Sequence, residues 1–346
     1  MKKNRFSDYL KDYLEFNNIM NKDFANRIGV TQKHFIDIMS GKMDLSSKVI
    51  ENISIVTGIP MEYICKLEAN YKFEEDIHKF LENSNMTKSE YLKKFNYKYL
   101  IQNEWMKFID EEDKLEVIKD ILKYLRISSP ENMNKIDKKI YFKSNNDKPE
   151  LLLLWLEKCY RATLNQTVKE YSKANIDNLV NYIRDSANAN KIDEVELVNK
   201  FNENGIFLVI QSDIPGAKIR GAFKVLKNIP AIYITYRHKR IADIYFSLLH
   251  ELAHCKSDFN KAKSTSLVSY DDEHTEEESN ADKQAYNWMV DEKYYEKIMK
   301  YSYYDINEEK EYPKSFVVYR LAKDRIIDYS SLEYQQNNQL IEKDNI

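Results

Sequence analysis

Glycine is scarce in this chain. There are six in 346 residues, where average usage of about 7% would place roughly 24. None falls in GxGxxG or GxxxxGK[ST], so dinucleotide-binding and P-loop readings lose their main sequence support. Cysteine is scarcer still. Cys65, Cys159 and Cys255 stand far apart and make no disulfide framework, which points to a reduced compartment and thiols that pack as small apolar groups. No apolar run nears the roughly 20 residues that cross a bilayer; the tightest cluster is residues 151–156, LLLLWL. The opening MKKNRFSDYL has lysines but no apolar stretch behind them, so no secretory signal is expected and the expected location is cytoplasmic. Nor does one sign of charge dominate. A net charge of −3 exerts no whole-chain pull on nucleic acid or membranes, and any such binding has to come from a local surface.

What is present suits a globular protein: 43% hydrophobic and 32% charged residues, in a length that implies two or three domains. Residues 1–70 read as five short helices. Phe6, Leu10, Tyr13 and Leu14 recur at helical spacing, Asn21 and Thr31 are placed to cap, and Gly29 to terminate. Residues 71–135 read as an ordered helical connector with one apolar stripe, Leu115, Ile118, Ile121, Leu122 and Leu125. Residues 136–330 read as a small α+β domain. Helical patterns cover 151–164, 176–189 and 195–201; then the period changes at 205–211 (GIFLVIQ), 219–226 and 231–237 (AIYITYR). These three segments predict a three-stranded, mostly antiparallel sheet. Helices resume over 241–258, 276–290 and 314–323, and the polar tail 331–346 is expected to fray. The expected fold is mainly α.

The chemistry concentrates in His250-Glu251-Leu252-Ala253-His254, an HExxH sequence inside an unbroken amphipathic run. By composition alone it appears in about one of 100 chains this long, so its context has to carry the argument. Two histidines four apart project from one face of a helix, about 6 Å apart along its axis, and can converge on one zinc. Glu251 lies about 100° round the helix, where it reaches a water rather than the metal. A third ligand is needed, and Glu278 is the candidate, in Glu278-Ser-Asn-Ala281-Asp282-Lys-Gln-Ala285. Glu278 and Asp282 share one face of a second helix, and Ala281 and Ala285 allow that helix to come close. Asp282 can then accept the free ring N–H of a ligating histidine. In that arrangement Glu251 takes a proton from the attacking water and passes it to the leaving amine. Tyr236, Tyr270 and His274 are the candidates for lining the site or for the oxyanion donor, with His274 read alternatively as a solvated residue of an acidic loop. His34, His78 and His238 read as ordinary surface or core histidines, and Cys255 as packing.

HELAH followed by ExxADxxA resembles the ImmA/IrrE metallopeptidases, zinc-dependent proteases with a gluzincin-like site. The likeness extends upstream through GAFKVLKNIPAIYITYRHKRIADIYFSLLHELAH and downstream to VVYRLAKDRIID, roughly residues 140–330. One departure is Tyr286, where that family usually has small residues or phenylalanine. The resemblance implies one zinc per chain held by His250, His254 and Glu278, with Glu251 activating the water. It also implies a protein substrate, a helix-turn-helix repressor or antitoxin-like partner, cut to release genes in a stress response, mobile element or toxin–antitoxin setting.

The run NKDFANRIGVTQKHFIDIMSGK from Asn21 to Lys42 resembles an XRE-type, lambda-repressor-like helix-turn-helix, and with IPMEYICKLEANY after it, the HigA antitoxin branch. That likeness implies double-stranded DNA as a partner, with Gln32, Lys33 and Asp37 toward base edges and Asn21 and Lys42 toward phosphate. Residues 1–66 hold ten Lys or Arg against eight Asp or Glu, a balance of only +2, so a module for dimerisation or partner binding is the competing reading. The leading expectation is a zinc endopeptidase fused to a DNA-binding domain. The alternative is a DNA-binding regulator whose zinc domain senses or binds without cutting, with a second copy of the chain as a candidate partner and no membrane.

Overall fold

The structure, a computed structural model, describes residues 5–133, 148–190, 192–237, 239–270, 275–300 and 311–341. The chain divides into two compact units, Met1–Lys88 and Ser89–Ile346. The segment expected as a connector is therefore shared between them, and the expected start of the following domain, at residue 136, lies outside the described residues.

Five helices build the first unit: α1 (Phe6–Phe16), α2 (Asn21–Arg27), α3 (Gln32–Met39), α4 (Ser47–Thr57) and α5 (Met61–Asn83). Their apolar faces meet in one core, in which Phe6, Leu10 and Leu14 of α1 pack with Phe24, Ala25, Phe35, Ile38, Ile53 and Ile64. Thr31 Oγ1 accepts from the backbone N–H of His34 at 3.1 Å and starts α3. Gly29, at φ +73°, makes the turn before it, a backbone that costs glycine nothing. Asn21 does not cap α2: it is the first helical residue, behind Met20, and no side chain caps that end. The fifth helix runs on to Asn83, well past residue 70 where the five helices were expected to end, because no glycine or proline interrupts it and Ile77 and Leu81 continue its buried face.

The second unit begins with α6 (Lys88–Lys94), α7 (Tyr97–Gln102) and α8 (Lys114–Tyr124), whose stripe from Leu115 to Leu125 is buried. There follow α9 (Pro149–Thr163), α10 (Asn175–Asn188), α11 (Glu194–Glu203), β1 (Phe207–Ile210), β2 (Ile219–Leu226), β3 (Ile229–Ile234), α12 (Ile241–Ser257), β4 (Leu267–Tyr270), α13 (Glu276–Met289), α14 (Glu292–Lys300), α15 (Lys314–Lys323) and α16 (Leu332–Asn337). The sheet has four strands in the order β1-β3-β2-β4, not three. It is mixed: β1 runs parallel to β3, while β2 is antiparallel to both β3 and β4. β4 (LVSY) is a brief apolar interruption between the polar runs KSTS and DDE and does not declare itself in the sequence. A two-residue turn joins β2 to β3, with Lys227 and Asn228 both at positive φ, 50° and 67°, the backbone that matches the twist of a hairpin. No described helix is long and apolar enough to cross a membrane.

α12 packs on β2 and β3, and α13 packs on α12. Every residue of α12 from 244 to 255 is buried, so this helix is enclosed all round, as its near-continuous apolar sequence requires. The described part of the polar tail, residues 331–341, is ordered rather than frayed as expected. Asn338, fully buried, accepts from the Ala242 N–H at 2.9 Å, and its amide donates to Asp243 Oδ2 at 3.0 Å and to the Tyr334 hydroxyl at 2.9 Å. The Gln339 carbonyl accepts from the Ile241 N–H at 3.1 Å. The tail thus satisfies the orphan donors at the start of α12. Residues 342–346 lie outside the described residues. Asn338→Ala, which strands a buried N–H, is expected to destabilise the second unit by about 1–3 kcal/mol in urea unfolding; an unchanged midpoint would remove the tail from this role.

Candidate metal centre

His250 and His254 stand one turn apart on α12, and their Nε2 atoms approach to 3.1 Å. Glu278 comes from the first turn of α13. Its Oε2 lies 3.0 Å from His250 Nε2 and its Oε1 3.0 Å from His254 Nε2. Thr275 Oγ1 accepts from the Glu278 N–H at 3.2 Å and fixes that turn, while buried Ala281 and Ala285 let the two helices close up. The three side chains are buried, and their donor atoms lie within 4.8 Å of one another.

The outer nitrogens decide what the inner ones can do. His250 Nδ1 is 2.8 Å from Asp282 Oδ1, and His254 Nδ1 is 2.8 Å from Asp258 Oδ2. An ionised carboxylate only accepts, so each Nδ1 carries the proton and donates it. In the neutral rings both Nε2 lone pairs then face the same point as a Glu278 oxygen. A tetrahedral ion with bonds of about 2.0–2.1 Å spaces its ligands about 3.3 Å apart, close to the 3.0–3.1 Å found here. Two imidazoles and one carboxylate suit a first-row ion such as zinc better than calcium or magnesium, which take mostly oxygen. This buried group could hold a metal ion.

Glu251 is wholly buried beside it; neither carboxylate oxygen makes a well-aligned hydrogen bond within the protein, and the Ser269 hydroxyl is the side chain that supports its charge by hydrogen bonding. Burial pushes its carboxyl above the usual range, against the pull of the two histidines. Space for it comes from β2. A Cβ on Gly221 would stand 2.5 Å from Glu251 Oε1 and 3.0 Å from the Tyr233 carbonyl, so a side chain there would displace the carboxylate. Burial also opposes ionisation of Glu278 and Asp282, but the histidines hold both below the usual carboxylate range, aided at Asp282 by Arg220. At His254, burial pulls downward, yet the hydrogen bonds to Asp258 and Glu278 prevail and raise the ring to about 10. A metal ion must displace that proton, so its affinity falls as pH falls.

Tyr236 is turned to α11, where its hydroxyl donates to Glu194, so it is not free to donate to an oxyanion. Tyr270 pairs through its backbone with Ile219 in β4; its side chain and the whole of His274 lie outside the described residues, as does His238. Cys255 is buried, with its Sγ 3.4 Å from the Tyr171 hydroxyl. In the first unit Gln32 and Lys33 are exposed at the start of α3, Asp37 is half-buried, and Asn21 and Lys42 are exposed. Three residues of the centre were not anticipated. Asp258 follows His254 by four and was legible by the same helical spacing that linked Glu278 to Asp282. Ser269, fully buried with Oγ 3.1 Å from His250 Nε2, and Arg220, buried at the β2 bulge, are brought in by strand register, which has no local signal.

Compared with known protein families, with characterised proteins and with solved structures, the chain finds no match. Asp258→Ala and Asp282→Ala are each expected to weaken zinc binding by about 10–100-fold, read by competition with a chromogenic chelator. An unchanged affinity would show that the carboxylate concerned does not orient its histidine.

Proposed function

We propose that the second unit is a zinc-dependent endopeptidase fused to a DNA-binding first unit, acting on a helix-turn-helix repressor, an antitoxin-like protein or the chain itself to control gene expression. The observation that carries this reading is Glu251, a wholly buried carboxylate with only the Ser269 hydroxyl and the two histidines to support its charge, set on the same helix turn as two histidines that converge with Glu278. Burying a carboxylate with so little hydrogen bonding is costly, and a site that merely stored or sensed a metal would gain nothing from it. A general base for water needs such a group. The resemblance of HELAH and ExxADxxA to the ImmA/IrrE metallopeptidases supports the same assignment.

Bound zinc would supply Lewis acidity at the scissile carbonyl and a water whose pKa is brought toward about 7. Glu251 takes the proton of the attacking water and delivers it to the leaving amine; its raised affinity for a proton suits that carrier role. Asp282 and Asp258 keep the two rings in the tautomer that aims Nε2 inward. For the first unit, the support is α3, capped by Thr31 and presenting exposed Gln32 and Lys33 from its N-terminal turn, the part of a recognition helix that meets base edges.

Purified chain incubated with repressors encoded beside it should yield fragments detectable by mass spectrometry. Glu251→Gln should keep about one zinc per chain and lose cleavage by about 10²–10⁴-fold, whereas Glu278→Ala should lose zinc. Undiminished cleavage by Glu251→Gln would sink the general-base assignment. In gel shifts, the chain should prefer the DNA upstream of its own coding sequence to random DNA, and Gln32→Ala with Lys33→Ala should abolish that preference. Equal affinity for both DNAs across salt concentrations would count against operator reading.

A further inference from the structure

β2 bulges against β4 between Ile219 and Gly221. A bulge re-aims a side chain, and the one re-aimed here is Arg220. Its Nη2 lies 3.2 Å from both Nδ1 and Nε2 of His250, 3.6 Å from Asp282 Oδ1 and 3.8 Å from Glu278 Oε2. The guanidinium carbon sits 5.3 Å over the Phe246 ring, and Nε, also buried, has no hydrogen-bond partner. Arg220 is thus not docked in a fitted fork of paired bonds, the geometry that arginine and carboxylate usually adopt. It is held in the interior by the summed charge of the acids around it.

Hydrogen-bond bookkeeping at His250 sharpens the point. Its Nδ1–H is donated to Asp282, which leaves the Nε2 lone pair as the ring's one acceptor site. That lone pair is within reach of an Arg220 N–H, and it is the same lone pair that a metal ion would take. The anions near the guanidinium, Glu278 and Asp282, are likewise the ligand and the ligand's support. Arginine stays charged under all ordinary conditions, so this competitor cannot be removed by titration.

We infer that Arg220 is an internal counter-cation that competes with the metal ion for His250 and Glu278, and so sets how tightly the centre holds its metal. The inference rests on reading the cluster as a metal centre. Removing the positive charge favours the incoming cation, whereas a residue with a purely structural role could only weaken binding when lost. The sign of the change therefore separates the two roles.

Full-length wild type, Arg220→Gln and Arg220→Lys are stripped with a chelator and titrated with zinc against a chromogenic competitor. Arg220→Gln is expected to bind zinc about tenfold more tightly or better; Arg220→Lys, which keeps the charge, should stay within about threefold of wild type. Equal or weaker affinity in Arg220→Gln, with wild-type circular dichroism, overturns the inference. Should Arg220→Gln fail to fold without metal, Arg220→Met is melted with and without zinc. The zinc-induced rise in Tm should exceed that of wild type, and an equal or smaller rise overturns the inference. Zinc binding by neither wild type nor any variant would overturn the metal reading itself. Zinc bound equally by wild type and Arg220→Gln would overturn only the role of Arg220.

Discussion

Two hydrogen bonds govern the centre: His250 Nδ1 to Asp282 and His254 Nδ1 to Asp258, each at 2.8 Å. They hold one ring proton of each histidine on the outside, so that in the neutral rings both Nε2 lone pairs face Glu278. Without them the rings could rotate or change tautomer, and three donors 3.0–3.1 Å apart would be only a coincidence of packing. Each bond joins the histidine to a different place. Asp258 lies just beyond the same helix, one turn after His254, while Asp282 belongs to α13. The centre is therefore tied to the crossing of α12 on α13, and that crossing to the small buried faces of Ala281 and Ala285.

Charge balance is the second constraint. Glu251, Asp258, Glu278 and Asp282 gather around two histidines in a largely dry region, and Arg220 is the cation that β2 supplies to them. Burial alone would drive Glu251, Glu278 and Asp282 toward the neutral form. The histidines reverse that at Glu278 and Asp282, with help from Arg220 at Asp282, whereas at Glu251 burial prevails. Acids in one cluster thus have different proton affinities, set by their neighbours. The hydrolytic role proposed for the centre would need such a division, with one carboxylate ionised as ligand and another ready to carry a proton.

The surrounding fold holds α12 in place from several sides. The sheet lies beneath it, α13 covers the face with the histidines, and the C-terminal segment closes its first turn through Asn338 and Gln339. A helix whose residues are buried from 244 to 255 has no solvent to satisfy its end groups, so a segment that appears dispensable by composition becomes part of the support. The first unit is built on a different plan, with short capped helices around a core of phenylalanine and aliphatic residues, and it leaves the polar start of α3 outward.

Local sequence determined most of the helices and the chemistry of the centre. HELAH on an unbroken apolar run had to be a buried helix with two histidines on one face, and Glu278 with Asp282 followed from the same spacing, because an α-helix repeats every 3.6 residues and its faces can be read without a structure. Asp258 was readable in that way as well. Strands β1, β2 and β3 showed themselves through β-branched and aromatic runs. Tertiary structure alone decided the rest. The parallel pairing of β1 with β3, the short β4, the bulge that sends Arg220 inward and the register that sets Gly221 against Ser269 all depend on which strands meet. The docking of the tail on α12 is likewise a contact between residues about 95 apart. Strand register and such long-range contacts are chosen by the whole packed core, and no stretch of sequence short enough to show a period contains that choice.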